Sequence, residues 1–260
     1  MGIVNLTPDS FFDGGSDSAT GIAHAEQLLA EGADILDLGG ESTRPGALPP
    51  ELDQEMARVL PVLRHAVGLG VPVSVDTSQP ALMQAALDLG ADIINDVRAL
   101  TRPGAAAVVA AHPSAGICLM HMQGEPTTMQ AAPHYGDVVG EVAMYLRNRA
   151  LYLADLGVAR HRIMLDPGIG FGKTDEHNWT LLRRHRELLA LGYPLLAGWS
   201  RKGSLGRLTG RPLAGRLVAS VAAALAAIAQ GATVVRVHDV AATVDAIAVW
   251  QVAMAPTIGQ

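Results

Sequence analysis

Eight short and almost wholly apolar runs recur along the chain, separated by longer stretches that are rich in alanine and leucine. The runs lie at residues 2–6, 33–39, 71–76, 91–96, 116–121, 162–166, 193–198 and 233–238. Such runs are typical of strands covered on both faces, and several of the intervening stretches end at glycine, as helices often do. Eight β/α units in 260 residues predict an α/β fold, a single (β/α)8 TIM barrel. A doubly wound open sheet is the alternative, although it would usually have fewer strands.

Composition and charge argue against a multidomain protein, a nucleic-acid-binding protein and a membrane protein. No linker or composition break divides the sequence, so we expect residues 1–260 to form one barrel domain. The net charge of −6 argues against nucleic acid as a partner, because phosphate binding usually requires a basic protein. The sequence has no charge-free apolar run of membrane-spanning length and opens without a basic leader segment, so we expect a cytoplasmic protein with no membrane partner. A single cysteine, Cys118, excludes an intrachain disulfide.

Nearly every predicted strand ends in a side chain that can take part in chemistry. The set comprises Asn5, Asp37 with Glu41 just beyond, Asp76, Asn95 with Asp96, His121, Asp166, the segment 200–202 after Gly198, and Arg236 with His238. In a barrel all strand carboxyl ends face the same mouth, so these residues are expected to converge. Because an unpaired buried carboxylate is costly, the pattern favours a ligand site over a structural network.

Two long loops follow the first two strands and are expected to cover that mouth. TPDSFFDGG (7–15) carries two adjacent phenylalanines, and ESTRPGALPP (41–50) places an arginine beside proline and glycine. We expect both loops to close over a ligand as lids. An ordinary turn or a solvated surface loop is the alternative for each.

The loops after strands 6, 7 and 8 favour an anionic ligand. DPGIGFGKT (166–174) lacks the glycine spacing of a Walker loop, so it is interpreted as a glycine-rich loop that lets backbone approach a ligand. SRKG and RVHD bring together Lys202, Arg236 and His238, which we expect to form a positive cluster for a phosphate-bearing ligand. A salt bridge from Arg236 to Asp239 or Asp76 is the alternative. Any metal would be Mg²⁺, held by one or two protein oxygens and by ligand phosphates.

Taken together, the motifs resemble one known family. The matching segments are MGIVNLTPDSFFDGG, ADILDLGGESTRPGA, SVDT, IINDV, LMHMQGEPTTMQ, DPGIGFGKTDEHN, GWSRKGSLG and RVHDV. In this order and over nearly the whole length they resemble dihydropteroate synthase. The resemblance implies a barrel that condenses 4-aminobenzoate with the diphosphate ester of 6-hydroxymethyl-7,8-dihydropterin, giving dihydropteroate and pyrophosphate for folate biosynthesis. It further implies a Mg²⁺ requirement and inhibition by sulfonamides.

The resemblance also implies roles for individual residues. The residues implied for the pterin pocket are Thr43, Asp76, Asn95, Met120, Asp166 and Lys202. Those implied for the diphosphate are Arg236 and His238, with Asn5 as the Mg²⁺ contact. Phe11, Pro45, Phe171 and Ser200 match the aminobenzoate pocket, and Arg44 and Asp13 match residues of the closing loops. The residues implied to act in catalysis are Asp13, Asp76, Lys202, Arg236 and His238.

Two other functions stay open at this point. A pterin-binding methyl-transfer module would share the barrel and the pterin carboxylates, but it would not need the loop at 42–46 or the cations after strands 7 and 8. A non-catalytic paralogue would keep the fold and pterin binding. Members of the resembled family usually have a further segment before MGIVN that would cap the barrel bottom, whereas this sequence starts at Met1.

The last helices indicate self-association. Within 217–229 only Ser220 is polar, and the stretch 244–255 is similarly poor in charge. A barrel helix normally shows a charged face to water, so a helix without one is expected to be covered on its outer side as well. We therefore expect a two-fold homodimer that packs through the last two or three helices.

Overall fold

The computed structural model describes residues 1–7, 18–42 and 46–254, in which strands and helices alternate. The strands are β1 (Gly2–Asn5), β2 (Leu36–Gly39), β3 (Val73–Asp76), β4 (Ile93–Asp96), β5 (Gly116–Met120), β6 (Ile163–Asp166), β7 (Leu196–Ala197) and β8 (Val234–Val235). The helices are α1 (Ser18–Ala30), α2 (Leu52–Ala66), α3 (Pro80–Asp88), α4 (Ala105–Ala111), α5 (Val138–Asp155), α6 (Asp175–Arg183), α7 (Gly203–Thr209), α8 (Leu217–Ala229) and α9 (Val240–Met254). All eight predicted strands are confirmed, each shorter than its apolar run.

The strands form a parallel ring. β1 to β6 pair in chain order, and β7 pairs with β8. Two isolated parallel bridges close the gaps, one between Leu165 and Leu195 and one between Gly2 and Val237. At the second gap the Ile3 amide donates to the Val237 carbonyl at 3.0 Å. The architecture is therefore the predicted TIM barrel, and the open doubly wound sheet is excluded by this closure.

Apolar residues between the ring and the helices form the main core. The strands contribute fully buried leucine, valine and isoleucine side chains, such as Leu38, Val75 and Ile94. Helix α2 shows the matching pattern, since Val59, Val62 and Leu63 are buried at helical spacing while its other face is polar. Each helix thus packs one stripe against the strands, which holds the strand carboxyl ends in a fixed ring.

Helix ends are set by local sequence where the loops must turn back to the ring. Helix α3 begins at Pro80, whose missing N–H costs nothing in the first turn. Helix α6 begins with a reciprocal cap in which the Thr174 side chain accepts from the His177 amide and the His177 ring accepts from the Thr174 amide. Across the described ranges, no helix combines the length and apolarity needed to cross a bilayer.

Candidate active site

The strand carboxyl ends bring widely separated side chains to one mouth. Asp76 ends β3, Asn95 lies one residue before the end of β4, and Asp166 ends β6. Arg236 and His238 follow β8 directly, and residues 200–202 lie between β7 and α7. The predicted convergence is seen for these residues, whereas Asp96 accepts from the Arg98 and Leu100 amides in the turn after β4.

Arg236 occupies the centre of a buried ion-pair network. Its Nε donates to Asp37 Oδ2 at 2.6 Å, and one terminal nitrogen donates to Asp76 Oδ2 at 2.9 Å. Asn95 Nδ2 donates to the same Asp37 oxygen at 3.3 Å. These bonds join β2, β3, β4 and the end of β8 across the mouth. Of the two salt bridges that the sequence left open for Arg236, the one to Asp76 is present, whereas Asp239 pairs with Arg201.

Burial controls the electrostatics of this network. Burial raises the pKa of Asp76 to about 8, with Arg236 opposing the rise and Asp37 adding to it. Burial therefore favours the protonated form of Asp76, whereas the hydrogen bond from Arg236 favours the carboxylate. Burial also acts to lower the pKa of Arg236, but the carboxylates of Asp37 and Asp76 more than offset it, so that pKa is raised. Arg236 thus stays charged at neutral pH.

A second pair of ionisable groups lies beside the network. Asp166 Oδ1 accepts a hydrogen bond of 2.7 Å from the Gly168 amide, and burial raises the pKa of Asp166. Lys202 lies with its Nζ 4.2 Å from the centre of the Phe171 ring. Burial lowers the pKa of Lys202 to about 8, against the opposing attraction of Asp166. The Asp166 carboxyl group and the Lys202 amine, whose pKa values are both shifted by burial, therefore face the same space.

An apolar wall completes this side of the mouth. Met120, at the end of β5, packs with Phe171, Met129 and Val97 in a small cluster separate from the main core. The thioethers and the ring offer a polarisable surface of the kind on which a flat heterocycle can lie.

His238 and Ser200 form a hydrogen-bonded pair at the corner of the mouth near Arg236. The His238 amide donates to Ser200 Oγ at 3.1 Å, and Ser200 Oγ lies 3.0 Å from His238 Nδ1. Burial lowers the pKa of His238 to about 3, and Arg201 and Arg236 add to the effect. The sequence counted His238 as a potential cation, and its lowered pKa favours the neutral imidazole at pH 7. The positive charge at this corner comes from Lys202 and Arg236.

Asn5 is the remaining described residue of the predicted site. It ends β1 and is half-buried, and its side chain makes no hydrogen bond within the described ranges. Nor do those ranges contain a group of three or more His, Cys, Asp or Glu side chains that could hold a metal ion. An amide oxygen without a cluster of carboxylates suits a Mg²⁺ ion held mainly by a phosphate ligand. Phe11, Asp13, Thr43, Arg44 and Pro45, together with most of the first predicted lid, lie outside the described residues.

The structure adds residues to which the sequence assigned no role. Asp37 was predicted only as a member of the strand-end set, and the structure shows it fully buried with its carboxylate accepting from Arg236. Arg98, at the turn after β4, bonds Glu41 with two nitrogens at 2.9 and 3.2 Å, which ties the start of the 41–50 loop to this turn. Lys173 is buried in the loop after β6. The rarity of lysine could have drawn attention to Lys173, because Lys173 and Lys202 are the two lysines among the 19 lysine and arginine residues of the chain.

Comparison with known proteins agrees with this geometry. The family described as "Pterin binding enzyme" matches residues 1–238. A dihydropteroate synthase of Neisseria meningitidis serogroup C is 58% identical over 96% of this chain and 91% of its own length. The chain belongs to the pterin-binding enzyme family. The resemblance to dihydropteroate synthase that the motifs indicated is thereby confirmed.

Solved structures from the same family superpose over nearly the whole barrel. Dihydropteroate synthase of Xanthomonas albilineans with 4-aminobenzoic acid matches with a TM-score of 0.93 and 49% identity, covering 98% of this chain and 93% of that chain. The same enzyme in complex with 7,8-dihydropteroate matches with a TM-score of 0.90 and 46% identity, at 98% and 93% coverage. The fold and the order of the site elements are therefore those of this family.

Proposed function

We propose that this protein acts as a dihydropteroate synthase, a transferase of folate biosynthesis. It condenses 4-aminobenzoate with (7,8-dihydropterin-6-yl)methyl diphosphate and releases pyrophosphate. The observation that carries the proposal is the arrangement at the mouth, where buried carboxyl and amide groups face one space and the cations Lys202 and Arg236 lie beside it. Its relatives from Neisseria meningitidis and Xanthomonas albilineans, which are named dihydropteroate synthases, support the same reaction.

The polar groups suit the hydrogen-bonding edges of a pterin. The pterin 2-amino group and ring N–H are neighbouring donors, and the Asp166 carboxylate can accept both in a paired arrangement. Asn95 offers both a donor and an acceptor, and Lys202 donates from Nζ. Met120 supplies apolar surface beside the ring. Thr43 is proposed to complete this pocket on the basis of the family motif.

The diphosphate is assigned to the corner of Arg236 and His238. Ser200 Oγ accepts from the His238 amide, so its hydroxyl hydrogen is free to donate to His238 Nδ1. The neutral imidazole then carries its hydrogen on Nε2, which can donate to a phosphate oxygen. Arg236 supplies a fixed charge to the same oxygens, and the Asn5 amide oxygen is assigned to Mg²⁺. When bound there, Mg²⁺ would neutralise negative charge on the diphosphate.

The chain's own residues act on charge that develops during bond exchange. The bond from the pterin methylene to the diphosphate oxygen breaks, and both electrons leave with pyrophosphate. The amine lone pair of 4-aminobenzoate forms the new C–N bond, and that nitrogen then loses a proton. Arg236 stabilises the leaving group electrostatically, and we assign Asp76 and Asp13 to the positive charge that develops on the pterin.

The second substrate is assigned to the outer side of the mouth. Phe171 and Ser200 line it among the described residues, and Phe11, Pro45 and Arg44 are proposed to complete it. We further propose that the protein is a cytoplasmic homodimer with no nucleic acid partner. The dimer has its own test below.

Replacing Asp166 by alanine tests the site assignment. We expect kcat/KM for dihydropteroate formation to fall by about a hundredfold or more, because buried pterin donors would lose a charged acceptor. Lys202→Ala and Arg236→Ala should cause comparable losses. Asp155→Ala, which removes an exposed aspartate at the end of α5, is the matched control and should keep full activity.

Turnover unchanged in Asp166→Ala would overturn the pterin assignment. Pterin binding by the wild-type protein without any turnover would instead identify the non-catalytic paralogue.

A further inference from the structure

Lys173 lies inside a cage of hydrogen-bond acceptors in the loop 167–174, which follows β6. Its side chain is almost fully buried. Its Nζ lies 2.9 Å from the Gly168 carbonyl oxygen, 3.0 Å from that of Phe171 and 3.3 Å from that of His121, and it shares a hydrogen bond of 2.9 Å with His121 Nδ1. All the hydrogens of the amine therefore have acceptors without the help of solvent.

Backbone bonding within the loop is limited to a single contact, in which the Phe171 amide donates to the Gly168 carbonyl at 3.1 Å among the described residues. Residues 167–174 form no helix or strand, and the loop packs backbone against backbone on the segment after β5. Gly168 adopts a left-handed conformation with φ of 69°, and a Cβ at this position would overlap the His121 carbonyl oxygen. Side-chain donors from outside the loop reach two further carbonyls, since Gln130 donates to Gly170 and Tyr135 to Gly172, both at 2.7 Å. Lys173, which belongs to the loop itself, donates to the Gly168 and Phe171 carbonyls.

A lysine suits this cage better than an arginine. The four acceptor atoms lie within 3.3 Å of one point, which a compact amine can occupy and a planar guanidinium cannot. Of the 19 lysine and arginine residues in the chain, 17 are arginines and two are lysines. One of the two lysines is thus the buried Lys173, and the other is the half-buried Lys202 of the site.

The cage keeps its bonds to the loop in either protonation state of the amine. Charged Lys173 donates to the two loop carbonyls and to neutral His121. Neutral Lys173 still has two hydrogens for Gly168 and Phe171, and His121 can then donate from Nδ1. Burial lowers the pKa of His121 to about 3, so its ring is neutral in both cases. The hydrogen bonds from Lys173 to the Gly168 and Phe171 carbonyls therefore do not depend on pH near neutrality.

We propose that Lys173 is a positioning residue for the second substrate. Because it holds the Phe171 carbonyl, it fixes the Phe171 ring against Lys202, on the side of the mouth that we assign to 4-aminobenzoate. Asp166 and Asn95 belong to strands, so the sheet holds their backbone. Lys173 reaches Asp166 only indirectly, through Gly168, whose amide donates to the Asp166 side chain. We therefore expect pterin binding to depend less on this amine than 4-aminobenzoate binding does. This inference rests on the proposed function, since it assigns Lys173 to one of that reaction's two substrates.

Steady-state kinetics of Lys173→Met test the proposal. We expect KM for 4-aminobenzoate to rise at least about tenfold, while the dissociation constant of 6-hydroxymethylpterin, an unreactive pterin, changes by less than about threefold. Arg207→Met is the matched control, because it exchanges an exposed cation for the same side chain outside the mouth and should change neither value. If Lys173→Met does not fold, Lys173→Arg provides the same comparison, since it keeps the charge but does not fit the cage.

An unchanged KM for 4-aminobenzoate would overturn the proposal, as would equal losses for the amine and the pterin, which would indicate general support of the fold. Failure of the proposed function looks different, because the wild-type protein would then form no dihydropteroate at all.

Discussion

At the scale of single residues, the structure contains a buried carboxyl group whose burial costs free energy of folding. Glu55 lies in the first turn of α2 and is fully buried, and neither carboxylate oxygen has a hydrogen-bond partner of ordinary geometry among the described residues, although the nearby Thr77 side chain acts to lower its pKa. Burial raises its pKa from 4.5 to about 7. The native protein therefore keeps this proton over a pH range in which the unfolded chain has lost it.

Glu55→Gln should remove this pH dependence. In the wild-type protein the stability contribution of Glu55 is present below pH 4.5 and is lost as the pH rises to 7, because only the unfolded chain ionises freely in that window. Relative to wild type, we expect the free energy of unfolding of Glu55→Gln to increase by about 3 kcal/mol between pH 4.5 and 7.

Urea unfolding at a series of pH values measures the difference. Glu51→Gln, at the exposed position just before α2, is the control and should show no such trend. A constant difference between Glu55→Gln and wild type across this range would contradict the raised pKa.

Residue-level sequence reasoning identified the polar residue types and offered one partner correctly, since Asp76 was an alternative salt-bridge partner for Arg236. The strand-end positions predicted that Asp37, Asp76 and Arg236 belong to the site. That Arg236 bonds both carboxylates at once depends on how β2, β3 and β8 meet. The neutral state of His238 could not be predicted either, because it depends on burial and on neighbouring arginines. Roles implied by the family motifs for Asp13, Thr43 and other loop residues stay predictions.

At the scale of elements, the apolar runs predicted all eight strands but not their lengths. β7 and β8 keep only two paired residues each, because closure of the ring next to them is made by single bridges. Periodicity reports which residues are covered and not which backbone groups pair, so it overestimates strands of this kind. That residues 1–260 form one domain stays a prediction.

Helices α8 and α9 leave an apolar surface that a second copy can cover. Helix α8 buries Ser220, Ala223, Ala224 and Ala227 against the barrel. On the outer faces Val218, Val249 and Val252 are 76%, 71% and 80% exposed. An outer face that is apolar rather than charged agrees with the expected interface.

We predict that Val218→Glu, combined with Val249→Glu, converts a dimer into a monomer, because it would bury charge in an apolar contact. Light scattering at micromolar concentration measures the mass. Leu151→Glu, an exposed apolar position on α5, is the control and should remain dimeric. A monomeric wild-type protein under these conditions would contradict the interface.

At the scale of the whole molecule, barrel closure is what creates the site. Arg236 and Asp37 are 199 residues apart in the sequence and lie 2.6 Å apart across the mouth. The eightfold β/α pattern predicted this convergence because all parallel strands of a barrel end on one face. The choice among pterin-dependent reactions needed more than the fold, since several functions share it. The motifs and the relatives supplied that distinction.

Pyrophosphate release by the wild-type protein tests the central claim most directly. The protein is incubated with (7,8-dihydropterin-6-yl)methyl diphosphate and Mg²⁺, with and without 4-aminobenzoate, and both pyrophosphate and dihydropteroate are quantified. The account predicts that the two products form in equal amounts and that their formation requires 4-aminobenzoate. Pyrophosphate release at the same rate without the amine, or no release under either condition, would contradict it.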